Sequence, residues 1–256
     1  MQVRRKIINQ CKGTPRLQKA LAMALYLKWH LGRSSCLQNY TINKLRTITG
    51  VSATTLKKYI RILKQLGWVR FDGKDEQHIV IGKLSSHNEK RNIKVDKFCH
   101  KTFRDTYYSL RAFIALTIQA KKDFIKRTLQ SVREPKGGKE FRSTLKLVKR
   151  LVKQGVLNSR YDEFKDFGIS LKRIAKETGN CVRTAFNTMK YAIENGWATK
   201  QRNYEQFYAP RISKEDMVGF HFSTNNNLYI IHANKYNIKA SVLNDIGMVS
   251  FLDGKK

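Results

Sequence analysis

Apolar positions along this chain follow a helical rhythm in two windows that superimpose when the sequence is shifted by 129 residues. In the first window Ile42, Leu45 and Ile48 recur at i, i+3 and i+6 and stop at Gly50, which predicts a short amphipathic helix over about 41–49. In the second window Leu171 and Ile174 mark the corresponding helix over about 170–178, stopping at Gly179. Thr49-Gly50 returns as Thr178-Gly179, Thr55 as Thr184, Ile60 as Met189, and Gly67-Trp68 as Gly196-Trp197, in register and without a gap. Such matches together point to duplication of one structural unit.

Each copy reads as two helices, a tight turn and a hairpin. Gly50 and Gly179 stand where a helix C-terminus wants a left-handed residue. Ser52 is placed to cap a second helix over about 53–66. Leu56, Ile60 and Leu63 line one face of that helix, while Lys57, Lys58, Arg61 and Lys64 face away. Trp68 to Phe71 and His78 to Ile81 alternate like two short strands about the turn Asp72-Gly73. Leu17 to Leu31 is the candidate first helix of copy one, and Ser143 to Gln154 that of copy two. Between the copies, Arg104 to Gln130 predicts a long helix, and Glu134-Pro135-Lys136-Gly137-Gly138 breaks the chain as a linker. In the tail, Phe220 to Ser223 and Leu228 to His232 predict a hairpin about Asn225-Asn226-Asn227.

The expected fold class is therefore mainly α with small β wings: two tandem winged helix-turn-helix domains joined by a long helix and linker. The boundaries are 1–100 for the first domain, 101–140 for the connecting helix and linker, and 141–256 for the second domain with its C-terminal hairpin.

Charge adds the partner. Lys and Arg number 51 against 19 Asp and Glu, giving +32 over 256 residues. Residues 1–71 contain fifteen Lys or Arg and no acid at all. A one-signed block that still carries a hydrophobic core is what neutralising a polyanion requires. Cys11, Cys36, Cys99 and Cys181 lie far apart without zinc spacing, so they are read as reduced thiols, with no metal and no cofactor. No apolar run is long enough to cross a membrane. Arg4, Arg5 and Lys6 ahead of Ala20 to Leu27 imitate an export leader, but Lys28, Trp29 and His30 follow at once, and a helix of the fold explains the run better. The expected location is cytoplasmic and DNA-associated.

The run from Val51 through Ser52, Thr54, Thr55, Lys57, Lys58, Ile60 and Arg61 to Gly67-Trp68-Val69 resembles the recognition helix and wing entry of MarR- and GntR-like winged-helix regulators. The resemblance covers roughly 45 residues and implies that Ser52 caps the helix while Thr54, Thr55, Lys57, Lys58 and Arg61 meet the major groove. The second copy departs from it. Cys181 stands at the cap, Phe186 and Asn187 replace the basic pair, and Arg183, Asn187 and Lys190 remain as DNA-reaching residues. Lys44, Arg46, Lys172 and Arg173 on the preceding helices are expected phosphate contacts, with Lys64 adding charge. The first wing carries Asp72, Asp75 and Glu76 at its tip and is not expected to enter a groove deeply. The second, with Lys200 and Arg202, is the better phosphate contact. The tandem arrangement is similar to that of plasmid replication initiators.

Enzyme motifs do not assemble. His30-Leu31-Gly32-Arg33 is an isolated H-x-x-R fragment, and the glycines around Lys74 miss the phosphate-loop spacing and its Ser or Thr. The chain is read as a non-enzyme. The expected function is sequence-specific binding of double-stranded DNA, as a replication initiator or transcriptional regulator of a plasmid, phage or mobile element. Expected partners are DNA and a second copy or the replication or transcription machinery. Two alternatives stand beside it. One is a non-specific basic nucleoprotein that coats or packages nucleic acid. The other is an RNA-binding or assembly protein, for which Tyr107, Tyr108, Tyr204, Phe207 and Tyr208 are candidate stacking residues.

Overall fold

In the computed structural model, residues 2–32, 35–73, 77–82, 84, 92–94, 101–132, 138–154, 168–201, 204–208, 220–224, 227–232, 236 and 240–252 are described. Their elements run β1 (Gln2–Arg4), α1 (Arg5–Cys11), α2 (Pro15–His30), β2 (Cys36–Leu37), α3 (Ile42–Thr49), α4 (Ala53–Gln65), β3 (Val69–Asp72), β4 (His78–Ile81) and β5 (Asn92–Lys94). The chain continues through α5 (Phe103–Val132), α6 (Gly138–Lys153), β6 (Ile169–Ser170), α7 (Leu171–Thr178), α8 (Val182–Glu194) and β7 (Ala198–Gln201). It ends with β8 (Tyr204–Tyr208), β9 (Phe220–Thr224), β10 (Leu228–Ile231) and α9 (Ala240–Leu252). The fold is mainly helical with small antiparallel sheets.

The helix pairs α3–α4 and α7–α8 begin and end at matching positions of the repeat, and several of their end contacts recur. Thr41 and Ser170 cap α3 and α7 by accepting from the backbone N–H of Lys44 and Arg173. Thr49 Oγ1 donates to the Leu45 carbonyl and Thr178 Oγ1 to that of Ile174. Gly50 and Gly179 take left-handed φ values of 68° and 67°, which only glycine adopts without steric cost. After each second helix the tryptophan N–H turns back, Trp68 to the Leu63 carbonyl and Trp197 to that of Ala192.

Each pair is completed by a three-stranded antiparallel sheet, β2-β4-β3 in the first copy and β6-β10-β7 in the second. β4 alternates Ile79 and Ile81 inward, and β10 alternates Tyr229 and Ile231 inward, the period-2 pattern of a sheet with one dry face. The short strands β2 and β6, at each sheet's edge, have no signal of their own in the sequence.

α5 is the spine of the molecule. Thr102 and Asp105 form its N-terminal box, the Thr102 hydroxyl accepting from Asp105 N–H and donating to Asp105 Oδ2. From there it packs on α2, α7, α8, β10 and α9. Buried Gln119 ties it to the second sheet, donating to the Ile231 carbonyl at 3.1 Å and accepting the Ile231 N–H at 2.8 Å. Gly247 lets α9 approach closely: a Cβ there would lie 2.5 Å from the Ala120 carbonyl oxygen. One hydrophobic cluster consequently runs through both copies, from Leu21 and Leu25 of α2 and Leu56 and Leu63 of α4 to Phe113 of α5 and Ile174 and Met189 of α7 and α8.

Two expectations are corrected, and the long helix does more than join the copies: α5 packs on α2 and also on α7 and α8. The segment 143–154 falls in α6, which instead packs on the C-terminal half of α5 and on α9 through Val148, Val152, Phe124 and Phe251. Among the described residues the tail hairpin is not formed: β9 pairs with β8, and β10 with β6 and β7. Tyr229 and Ile231 bury beside Ala198 rather than folding back on β9, since only there do they reach the core. The proposed linker at 134–138 lies outside the described residues up to Gly138.

Candidate nucleic-acid interface

α4 turns its apolar face, Leu56, Tyr59, Ile60 and Leu63, into the core and leaves Thr54, Lys57, Lys58 and Arg61 exposed. Spacing of three and four residues puts these four on one outward side. With Ala53 they line a single open groove. Among the described residues no hydrogen bond or ion pair within the chain engages the side chain of Lys57, Lys58 or Arg61. The positive partial charge of the α4 N-terminus adds to theirs. The arrangement offers long cationic donors, a short hydroxyl and close access to the helix backbone, which is the chemistry of phosphate and base-edge recognition.

Ser52 and Thr55 take a different part from the one expected. Ser52 is the N-cap residue, but its hydroxyl makes no backbone cap; it donates to Thr55 Oγ1 at 2.9 Å. Thr55 is half-buried, accepts that bond and does not line the groove. Cys181 and Thr184 repeat the geometry, Sγ to Oγ1 at 3.1 Å. Lys64 also leaves the cluster: its ammonium lies 4.8 Å from the centre of the Phe71 ring, against the first sheet. On α3, Lys44 donates to the Gln38 carbonyl and Arg46 is exposed.

The second copy is assembled differently. Arg183, Asn187 and Lys190 of α8 are exposed, as is Lys172 of α7. Lys190 lies 3.8 Å from Glu194, and Arg173 pairs with Glu177 at 3.1 Å. Asn187 and Lys190 share a groove with Arg104, Tyr108, Tyr191 and Glu194. Arg104 comes from α5, too distant in sequence for any local signal to place it there. Lys122, also on α5, donates to the Gly168 carbonyl beside α7. Burial first, and then the like charges of Lys126 and Arg173, lower its ammonium pKa. Lys200 is exposed on β7; Arg202 and the tip residues Asp75 and Glu76 of the first sheet lie outside the described residues.

Two of the tyrosines considered for base stacking, Tyr107 and Tyr108, are already packed. Tyr108 stacks on Tyr191 at 5.1 Å, and Tyr107 lies under the buried Arg111 guanidinium at 5.1 Å. Tyr204, Phe207 and Tyr208 fall on β8.

Among the described residues there is no group of His, Cys, Asp or Glu fit to hold a metal ion, and no helix long and apolar enough to cross a membrane. Compared with known proteins, the chain matches no family model, no curated sequence and no solved structure.

Proposed function

We propose that this protein binds double-stranded DNA sequence-specifically through two tandem winged helix-turn-helix units, with α4 and α8 as recognition helices. The observation that carries the reading is the groove on α4. Thr54, Lys57, Lys58 and Arg61 project from the outward face of the second helix of a helix–turn–helix pair, inside a 71-residue block without a single acid. In this reading Arg61 takes a guanine edge or clamps a phosphate, Thr54 brings the backbone close to the bases, and Lys57 and Lys58 neutralise phosphates. Arg46 and Lys172, exposed on the preceding helices, set register on the duplex. The biological role that fits is replication initiation or transcriptional regulation of a plasmid, phage or mobile element.

The test is selection of bound duplexes from a randomised pool at about 150 mM salt, followed by salt titration of the winners. A recovered motif with two half-sites supports recognition by both units. Tight, steeply salt-dependent binding with no motif means that the net charge dominates, and the protein is then a coating or packaging nucleoprotein. Preference for RNA over duplex DNA overturns the proposal outright.

A further inference from the structure

The two second helices match in length and register, yet their outward faces differ in kind. Val182, Phe186 and Ile193 of α8 are 48%, 47% and 37% exposed. They are spaced four and then seven residues apart, which at 3.6 residues per turn keeps all three within about 40° of one another. The repeat places Ala53, Lys57 and Lys64 of α4 at the same positions. Where the first copy offers ammonium groups, the second offers a continuous apolar stripe. Arg183 and Lys190 border that stripe on its edge away from the core, and Asn187 lies beyond them. Leaving three large apolar side chains in water is unfavourable, and core packing does not account for them, because the core face of α8 is already filled by Ala185, Met189 and Ala192.

We propose that this stripe is a thymine-reading surface: Phe186 and Val182 contact C5-methyl groups in the major groove, while Arg183 and Lys190 hold the adjacent phosphates. The thymine methyl is the one apolar group that the major groove displays. Both cations lie along the one edge of the strip that faces away from the core, as an anionic backbone beside a major groove requires, and a net charge of +32 favours a polyanion over a protein partner. The inference rests on the DNA-binding reading above and deepens it. The first unit recognises its half-site by charge and hydrogen bonds, the second by methyl groups.

The experiment is a scan of the duplex selected by the wild-type chain, in which each thymine in turn is replaced by deoxyuracil, removing only the methyl. Affinities are measured for the wild type, Phe186→Ala and Phe186→Leu, with folding of each variant checked by circular dichroism. At one or more thymines the wild type should lose about fourfold in affinity, the worth of one buried methyl. Phe186→Ala should be insensitive at those same thymines, and Phe186→Leu should keep part of the discrimination. Loss of binding to every duplex by the wild type itself would sink the DNA-binding reading and this one together. Binding with a motif but with no thymine whose effect depends on Phe186 would overturn this inference alone. Unchanged DNA affinity together with loss of self-association in Phe186→Ala would overturn it too, and would reassign the stripe to a contact between copies of the chain.

Discussion

The side-chain amide of Gln18, wholly buried on α2, donates to the Thr178 carbonyl at 2.9 Å and so joins residues 160 positions apart. The same nitrogen donates to the Cys11 carbonyl at 3.0 Å, and Gln18 Oε1 accepts from Asn180 Nδ2 at 3.3 Å. The turn between α7 and α8 is thereby fixed to the turn between α1 and α2. Gln18→Leu, similar in volume but unable to hydrogen-bond, should destabilise the whole chain by about 1–3 kcal/mol, because buried polar groups lose their partner. Urea unfolding followed by two probes, one in each copy, should show both transitions moving together. Movement of one transition alone would mean that the copies fold independently.

Gly50 and Gly179 give a matched comparison. Both are left-handed, but a Cβ on Gly50 meets nothing within 4 Å, while one on Gly179 would stand 2.3 Å from the Gly13 carbonyl oxygen. Gly50→Ala should cost about 1–2 kcal/mol, the strain of the conformation alone. Gly179→Ala should cost clearly more, because the junction between the copies must open. Equal melting temperatures for the two variants would remove that junction from the account.

Changes to Arg61 and Lys58 should affect DNA binding in different ways. Arg61→Ala should lose about 1–3 kcal/mol and relax preference at one or two base pairs of the selected site. Lys58→Ala should weaken binding to all sequences alike and reduce the salt slope by about one. Titrations at several salt concentrations on cognate and scrambled duplexes separate the two. If the double variant binds like the wild type, α4 is not the recognition helix.

Cysteine labelling should be selective. Cys181 is exposed at the α8 N-terminus, where contact with Thr184 and nearby backbone N–H groups lower its thiol pKa. Cys11 is buried, which pushes its thiol up to about 12. Brief alkylation of the native protein near neutral pH should mark Cys181 and spare Cys11, as read by mass spectrometry of the peptides. Modification of Cys11 at the same rate would mean that the α1–α2 packing opens readily.

Alkali should weaken the fold through the same group. The Cys11 thiol has a folded pKa of about 12 against an ordinary 9.0. Its contribution is complete below the ordinary value and is lost as pH rises from there toward the folded one, since only the unfolded chain ionises in that window. Buried Tyr236, also pushed up, adds to the loss from its ordinary 10.0 upward. Urea midpoints for the wild type should fall between about pH 8.5 and 10.5, and Cys11→Ala should flatten the early part of that fall. Parallel curves for the two proteins would contradict the assignment.

Local chemistry by itself determined the repeating part of this protein. Left-handed glycines at 50 and 179, apolar spacing on α3, α4, α7 and α8, and the return at each Gly-Trp are short-range effects, and their boundaries could be read from the residues. The outward cations of α4 were legible for the same reason, since a helix with Leu56, Ile60 and Leu63 inward has only one way to place Lys57, Lys58 and Arg61. Long-range burial decided the rest. Whether α5 or α6 serves the second copy depends on which apolar stripe fits a core shared with α2, and both segments have helical periodicity. The partner of β10 depends on Tyr229 and Ile231 reaching that core, which carries β10 past an adjacent strand to β7, 27 to 33 residues back along the chain. The groove on α8 borrows Arg104 and Tyr108 from α5, and the turn before α8 is held by Gln18 of α2. Contacts between residues that distant arise only when the chain closes on itself, and no periodicity within a single segment encodes them.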